Sequence, residues 1–278
     1  MKNILIPTDF SQCARHATNY GLELAKKLKS QVTFLHLVPT PVDWDKLPLE
    51  KENLYPETKA AIGEVKDSLL KLERQAEKTG VEASSNLIYN RGLDNIQSFI
   101  KKDNYDLVIM GTHGVHGFQK LIGSNTQRLI KTSPVPVLAV KTDDKSEVPK
   151  KIVIASDFSQ KSLSAFGKLI EIAKKLELDI QLLYVNLPYN FRESDDIDYL
   201  IDQFINHHPE ASFGRNVINA NNVSRGVAIY LNKAQPDIIA CITHGYSGIA
   251  GLFTPGITEN IMNHFNLPVL SINMNVSD

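Results

Sequence analysis

A glycine-rich loop is the part of the sequence best suited to chemistry. It runs from Gly111 to Ser124 and also contains Gly114, Gly117 and Gly123. Glycines leave backbone N–H groups open to an anion, and a helix that begins near Ser124 would direct its positive end at the same place. The loop therefore predicts binding of a phosphate chain. Glycines that serve only to make turns are an equally common explanation of such a loop.

Other reactive side chains have plainer explanations than catalysis. The histidines of the two matching loops, among them His113 and His244, lack a second ligand at a metal-binding spacing. Ser11 is best explained as a helix N-cap, and Cys13 as a packed thiol near the start of that helix. The sequence therefore predicts neither a catalytic residue nor a metal ligand.

The chain repeats itself once, with the matching segments in the same order. Residues 2–12 match 150–160, residues 106–114 match 237–245, and residues 136–140 match 268–272. Two repeats of this length indicate two domains rather than a solenoid. The polar stretch 141–147 is the natural linker, which places the domains at residues 1–142 and 149–278.

Each half alternates short apolar strands with helices. The predicted strands of the first half are residues 4–6, 32–38, 85–89, 107–110 and 137–140. Continuous apolar strands separated by helices indicate a doubly wound parallel sheet covered on both faces, which is an α/β fold. Such sheets bind ligands at the carboxyl ends of their strands, where the strand order reverses. The glycine loop follows the fourth strand and so lies at such an end.

Composition excludes several classes of partner. The 278 residues carry a formal net charge of -1, so no basic field points to nucleic acid. No apolar stretch approaches the roughly 20 residues that cross a bilayer, so no membrane partner is expected. The two cysteines, Cys13 and Cys241, show no pairing pattern, which is typical of a reducing compartment and predicts a cytoplasmic protein.

The repeated motifs resemble those of the universal stress protein family over nearly the whole chain, twice. The resemblance rests on the opening residues 7–9, the glycine loop, and the closing residues 136–140. The family signature is usually Gly-x2-Gly-x9-Gly followed by Ser or Thr. The resemblance implies two tandem five-stranded domains of the adenine nucleotide alpha hydrolase-like type, with strand order 3-2-1-4-5. Single-domain members commonly pair through their fifth strands, so an internal pseudo-dimer is expected, and a further homodimer of the tandem chain is a candidate.

The resemblance also implies an adenine-nucleotide site in the first domain. In members that bind ATP, Asp9 would contact the nucleotide near adenine and ribose, the backbone of Val38 would read adenine, and Met110 would lie beside the nucleotide. The expected ligand is ATP or AMP, with or without Mg²⁺. The implied nucleotide-binding residues are Pro7, Thr8, Asp9, Val38, Met110, Gly111, Gly114, Gly123, Ser124 and Asn125.

Both copies depart from the family signature. In the first copy the loop is one residue short, which would tighten or shift the phosphate cradle. In the second copy Ile242 stands where Gly111 stands, and Pro255, which has no N–H to donate, stands where Gly123 stands. The second copy is therefore not expected to hold a triphosphate.

Three functions remain open at this stage. The leading one is a nucleotide-responsive stress protein that acts by signalling or by association with unidentified protein partners. The second is a ligand-independent interaction scaffold in which both pockets are vestigial. The third is a slow ATPase or autophosphorylating enzyme.

Overall fold

The computed structural model describes residues 1–90, 95–112, 124–141, 148–243 and 255–274. Residues 142–147 of the predicted linker and most of the glycine loop lie outside these ranges, as do the loop histidines His113, His116 and His244. Within these ranges no helix combines the length and the apolar character needed to cross a bilayer.

Strands and helices alternate along both halves, as the apolar pattern predicts. The strands of the first half are β1 (Asn3–Pro7), β2 (Gln31–Pro39), β3 (Ala83–Asn90), β4 (Leu107–Gly111) and β5 (Val137–Val140). Those of the second half are β6 (Lys151–Ala155), β7 (Asp179–Asn186), β8 (Phe213–Asn219), β9 (Ile238–Thr243) and β10 (Val269–Asn273). The helices are α1 (Gln12–Leu28), α2 (Pro56–Thr79), α3 (Asn95–Lys102), α4 (Ser124–Thr132), α5 (Leu163–Lys175), α6 (Ser194–Ile205), α7 (Val223–Ala234) and α8 (Pro255–His264).

Helix α1 begins and ends as its sequence dictates. Ser11 has an extended backbone, and its side chain accepts a hydrogen bond from the backbone N–H of Ala14 at 3.1 Å, which confirms the predicted N-cap. The helix ends at Leu28, and the C-cap residue Lys29 has a left-handed backbone with a φ of 53°. Small residues such as Ala17 and Ala25 are buried, so the helix lies close to the sheet.

All ten strands form one continuous sheet. The order is β3-β2-β1-β4-β5-β10-β9-β6-β7-β8, and within each half the strands are parallel. Each half therefore has the predicted order 3-2-1-4-5, and the doubly wound α/β fold is confirmed. In the first half the order reverses between β1 and β4, which places the carboxyl ends of these two strands at the switch point.

The two halves meet through their fifth strands. β5 and β10 pair antiparallel, with Leu138 opposite Leu270 at the centre of the register. These two leucines hold equivalent positions in the repeat, so the approximate two-fold axis passes between them. The Lys141 ammonium also reaches across to the backbone carbonyl of Phe265 at 2.6 Å. The predicted internal pseudo-dimer is thus confirmed, and each half covers what would be an open sheet edge of the other.

A hydrophobic core covers each face of this sheet, and both cores extend through the two halves. One core contains residues of α1, α2, α5 and α6, and the other contains residues of α3, α4, α7 and α8. Leu138 and Leu270 belong to the first core, while Val137 and Val269 belong to the second. Because these two cores both run through the two halves, we expect the halves to unfold together.

Candidate functional site

The turn between β1 and α1 holds Asp9 at the carboxyl end of β1. The backbone N–H of Phe10 donates to the Thr8 hydroxyl at 3.1 Å, and that of Ser11 donates to the Asp9 carboxylate at 3.0 Å. These bonds keep Phe10 in the left-handed region, with a φ of 59°. That conformation costs a residue other than glycine about 1–3 kcal/mol, and it persists because the surrounding bonds enforce it.

The second half builds the same turn. Ser156 accepts from the N–H of Phe158 at 3.0 Å, Asp157 accepts from the N–H of Ser159 at 3.0 Å, and Phe158 has a φ of 50°. Asp9 and Asp157 thus share a role in folding, whatever ligand either half binds. The surroundings differ, because Phe158 is fully buried beside Phe204, whereas Phe10 remains half-buried.

His36 on β2 connects the turn to the neighbouring strand. Its Nδ1 lies 2.7 Å from the carbonyl oxygen of Thr8, and its ring stacks on Phe10 at a centroid distance of 4.7 Å. A carbonyl only accepts hydrogen bonds, so Nδ1 carries the proton. Burial lowers the pKa of His36, and the bond to Thr8 and the charge of Asp9 oppose this only in part. The imidazole is therefore neutral at physiological pH and adds no cation beside Asp9.

Val38, near the end of β2, is part of a small apolar cluster next to the site. It packs with Trp44 and Ile62, and the half-buried rings of Tyr55 and Tyr89 pack against these three residues. Trp44 comes from the Pro-rich connection between β2 and α2, and sequence reasoning missed it. Its only available signal was its identity as the single tryptophan of the chain, placed in a connection that otherwise shows no apolar periodicity.

Gly111, at the end of β4, allows α1 to approach closely. A Cβ atom at this position would lie 2.9 Å from the carbonyl carbon of Cys13 and 3.0 Å from its oxygen. The Thr126 hydroxyl donates to the Gly111 carbonyl at 2.9 Å, which ties the first turn of α4 to the same point. The N-termini of α1 and α4 therefore converge at the end of β4, where their unpaired N–H groups and dipoles favour an anion.

The structure gathers most of the described site residues at the switch point. β1 and β4 pair with Ile4 opposite Leu107 and Leu5 opposite Val108, so Pro7 and Met110 lie toward the same ends of two adjacent strands. Thr8, Asp9 and Gly111 continue these strand ends, and Val38 lies one strand away on β2. Ser124 and Asn125 open α4, but their side chains, like all of Gly114 and Gly123, lie outside the described residues.

Comparison with known proteins decides the family. The model of the universal stress protein family matches residues 1–141 and 149–273. The chain belongs to the universal stress protein family. A universal stress protein of Methanocaldococcus jannaschii is 32% identical over 154 residues, covering 52% of this chain and 84% of the relative. One from Synechocystis is 23% identical over an alignment of 297 positions that covers 98% of this chain and 99% of the relative.

Solved structures of the family share the whole fold of this universal stress protein. The crystal structure of a universal stress protein from Archaeoglobus fulgidus superposes with a TM-score of 0.76 at 16% identity and covers 98% of each chain. A putative universal stress protein from Pseudomonas aeruginosa gives a TM-score of 0.65 at 13% identity, covering 98% of this chain and 93% of the other. At these identities the comparison establishes the fold alone.

The second universal stress protein domain has a different strand end. Ile242, which replaces Gly111, is buried, and the chain after Ser159 makes a 3-10 turn over Gln160–Ser162. Helix α5 starts only at Leu163, and no side chain caps either segment. Ile242 belongs to the core that also contains residues of α5, whereas Gly111 leaves room for the start of α1. The second domain therefore begins the equivalent helix with an uncapped 3-10 turn in place of the capped α-helical start that follows Asp9.

The described part of the site does not supply a metal-binding group. Across the described ranges, no three histidine, cysteine, aspartate or glutamate side chains are gathered as a metal site would require.

Proposed function

We propose that this universal stress protein binds ATP or AMP at the switch point of its first domain, and that it acts in the stress response by nucleotide-dependent association with protein partners. The observation that carries the proposal is the convergence of the starts of α1 and α4 beside Asp9. Two helix N-termini at one strand end are suited to phosphate, and a carboxylate beside them is suited to ribose or amino hydrogens.

Each part of the nucleotide has a matching feature in the proposed site. The phosphates would lie against the N–H groups at the starts of α1 and α4, with Gly114, Gly123, Ser124 and Asn125 supplying the cradle. Asp9 would accept hydrogen bonds from the ribose or adenine. The adenine would lie between the strand ends that carry Val38 and Met110, where the apolar Val38–Trp44 cluster provides one wall.

The proposal places the nucleotide in the first domain alone. In the second domain a buried Ile242 stands in place of Gly111, and the equivalent helix begins with an uncapped 3-10 turn. It also assigns no catalytic group, since His36 is held by Thr8 through Nδ1 and is explained by that bond. Localisation in the cytoplasm is part of the same proposal and is supported by the two cysteines, both free and buried.

Paired substitutions of the two equivalent aspartates test the proposal. Isothermal titration calorimetry with ATP and with AMP should give one site per chain. Asp9→Asn should weaken binding by about tenfold or more, the effect of about 1.4 kcal/mol, because the charge and one acceptor are lost. An asparagine Oδ1 can still accept from the Ser11 N–H, so the turn is kept.

Asp157→Asn is the matched control, since it makes the same change in the same turn of the second domain. It should leave both affinity and stoichiometry unchanged. Two sites per chain, equal losses in the two variants, or no heat with either nucleotide would contradict the proposal.

A further inference from the structure

Three aromatic side chains project from the second domain into solvent. Tyr189 is 77% exposed, Phe191 is 65% exposed and Tyr199 is 65% exposed. The first two lie in the connection between β7 and α6, and the third lies on α6. All three lie within residues 189–199 of the chain, and we call them the aromatic patch. Aromatic rings dominate protein interfaces because each can bury roughly 150–250 Å², so a group of exposed rings calls for a partner.

The connection that carries the patch is firmly held. Asn186, at the end of β7, is almost fully buried, and its side-chain amide donates to the carbonyl of Arg192 and accepts from the N–H of the same residue, both at 3.1 Å. Leu187 is buried, and its carbonyl accepts from the N–H of Asn190 at 3.0 Å. The aromatic patch is thus presented on an ordered segment, so little conformational entropy would be lost when a partner binds.

The first domain uses the equivalent connection in the opposite way. Residues 40–55 fold back so that Trp44 is buried against Val38 and Ile62. In the second domain the connection is shortened to residues 187–193, and Asn186 replaces Val38 at the end of the strand. The fold can therefore bury its aromatic residues at this place, and their exposure in the second domain is not a requirement of the fold.

The segment that follows Phe191 and carries Tyr199 is rich in carboxylates. Residues 192–203 contain five carboxylates and one arginine. Arg215 pairs with Asp198 at 3.5 Å and with Asp202 at 2.6 Å. Asp195 and Asp196 have no cationic partner in the part of the chain that the structure describes. They lie four and three residues before Tyr199 and so flank it on the outer face of α6.

We propose that the aromatic patch is a docking surface for a basic, apolar segment of a partner protein, in which Lys or Arg residues are interleaved with Leu or Phe. The apolar residues would pack on Tyr189, Phe191 and Tyr199, and the cations would pair with Asp195 and Asp196 or lie over the rings. A second copy of this chain is disfavoured, because a two-fold contact through the patch would bring its carboxylates face to face. The docking surface is independent of the nucleotide site.

Three synthetic peptides test this docking surface by fluorescence anisotropy with the full chain. The first combines Arg with Leu and Phe at helical spacing, the second replaces its Arg with Glu, and the third replaces its Leu and Phe with Ser. The first should bind at least about tenfold more tightly than either of the others. Equal binding of the acidic and basic peptides, or no binding of the first peptide, would overturn the proposal.

Surface variants locate the binding site. Phe191→Ser with Tyr199→Ser, and separately Asp195→Lys with Asp196→Lys, should each weaken binding of the first peptide by about tenfold or more. Leu70→Ser is the control, because Leu70 is a 47% exposed apolar residue on α2 of the first domain. All changed side chains are exposed, so the variants should fold. A comparable loss in Leu70→Ser would overturn the assignment. Sedimentation would also overturn it if the wild type self-associated and the variant Phe191→Ser with Tyr199→Ser did not. The occupant of the aromatic patch would then be a second copy of the chain.

Discussion

Replacing Gly111 with alanine separates a packing requirement from a ligand requirement. The new Cβ would lie 2.9 Å from the carbonyl carbon of Cys13, 3.0 Å from its oxygen and 3.0 Å from its sulfur. Two of these atoms are backbone and cannot rotate away. Gly111 does not have a positive φ, so alanine adopts its backbone conformation without strain. Any destabilisation must therefore come from the approach of α1 to β4.

The magnitude follows from the contact distances. Ordinary carbon contacts lie at about 3.5–4.0 Å, so the start of α1 must retreat by roughly 0.5–1 Å. Overpacking of this kind lowers the free energy of unfolding by about 1–3 kcal/mol. Replacing glycine by alanine also reduces the conformational entropy of the unfolded chain, which raises the free energy of unfolding by about 0.4–1 kcal/mol. We expect a net loss of about 1 kcal/mol in the free energy of unfolding. ATP affinity should fall by about tenfold, because the helix start is half of the proposed phosphate site.

Urea unfolding and titration calorimetry measure the two effects on the same variant. Gly63→Ala is the control, since Gly63 lies within α2 and a Cβ there would meet nothing within 4 Å. It should raise the free energy of unfolding by up to about 1 kcal/mol and leave ATP binding unchanged. If Gly111→Ala unfolds at the same urea concentration as the wild type and binds ATP as tightly, the packing explanation of Gly111 is wrong.

Three further predictions concern the core, the pH dependence of stability and a thiol. Leu138→Ala should cost about 2–5 kcal/mol and still give one calorimetric unfolding transition, since Leu138 lies in a core shared by both domains; two separated transitions would contradict this. Burial lowers the pKa of His36, so its contribution to stability is complete above about pH 6.5 and is lost as the pH falls. Below that pH, the urea midpoint of His36→Asn should therefore vary less with pH than the midpoint of the wild type. The same pH dependence in both proteins would refute the effect. Burial raises the pKa of Cys241 to about 12, so in the Cys13→Ser variant a disulfide reagent should label the thiol only upon unfolding, and rapid labelling of the folded chain would count against it.

The fold could be read from the sequence because its signals are local or repeated. The residues of β4 are apolar without alternation, as expected of a strand covered on both faces, and the strand is buried nearly throughout. Ser11 marked the start of α1 through the chemistry of its own side chain. The pairing of β5 with β10 followed from the family resemblance and from the need to cover an edge strand in each half.

The candidate site was less accessible to sequence reasoning, because its main features depend on distances between remote segments. The sequence favours a ligand-binding role for Gly111, and only the structure shows that Cys13 of α1 lies against it. The bond between Asn186 and the backbone of Arg192 has no sequence signature, since an asparagine amide can pair with many backbone groups. The domain boundaries at 1–142 and 149–278 and the nucleotide-binding residues stay predictions.

The antiparallel join of β5 and β10 also affects how the two domains can diverge. Because β5 and β10 run in opposite directions, the strands of the two halves have their carboxyl ends on opposite sides of the molecule. Asp9 and the aromatic patch each follow such a strand end, so they face away from each other. In a dimer of identical subunits every substitution appears at the strand ends of both subunits. Covalent fusion removes that constraint, because Gly111 can be kept while Ile242 stands at the equivalent position. A tandem chain can therefore accumulate substitutions at the strand ends of one domain while the strand ends of the other domain keep their residues. The two domains can thus specialise separately.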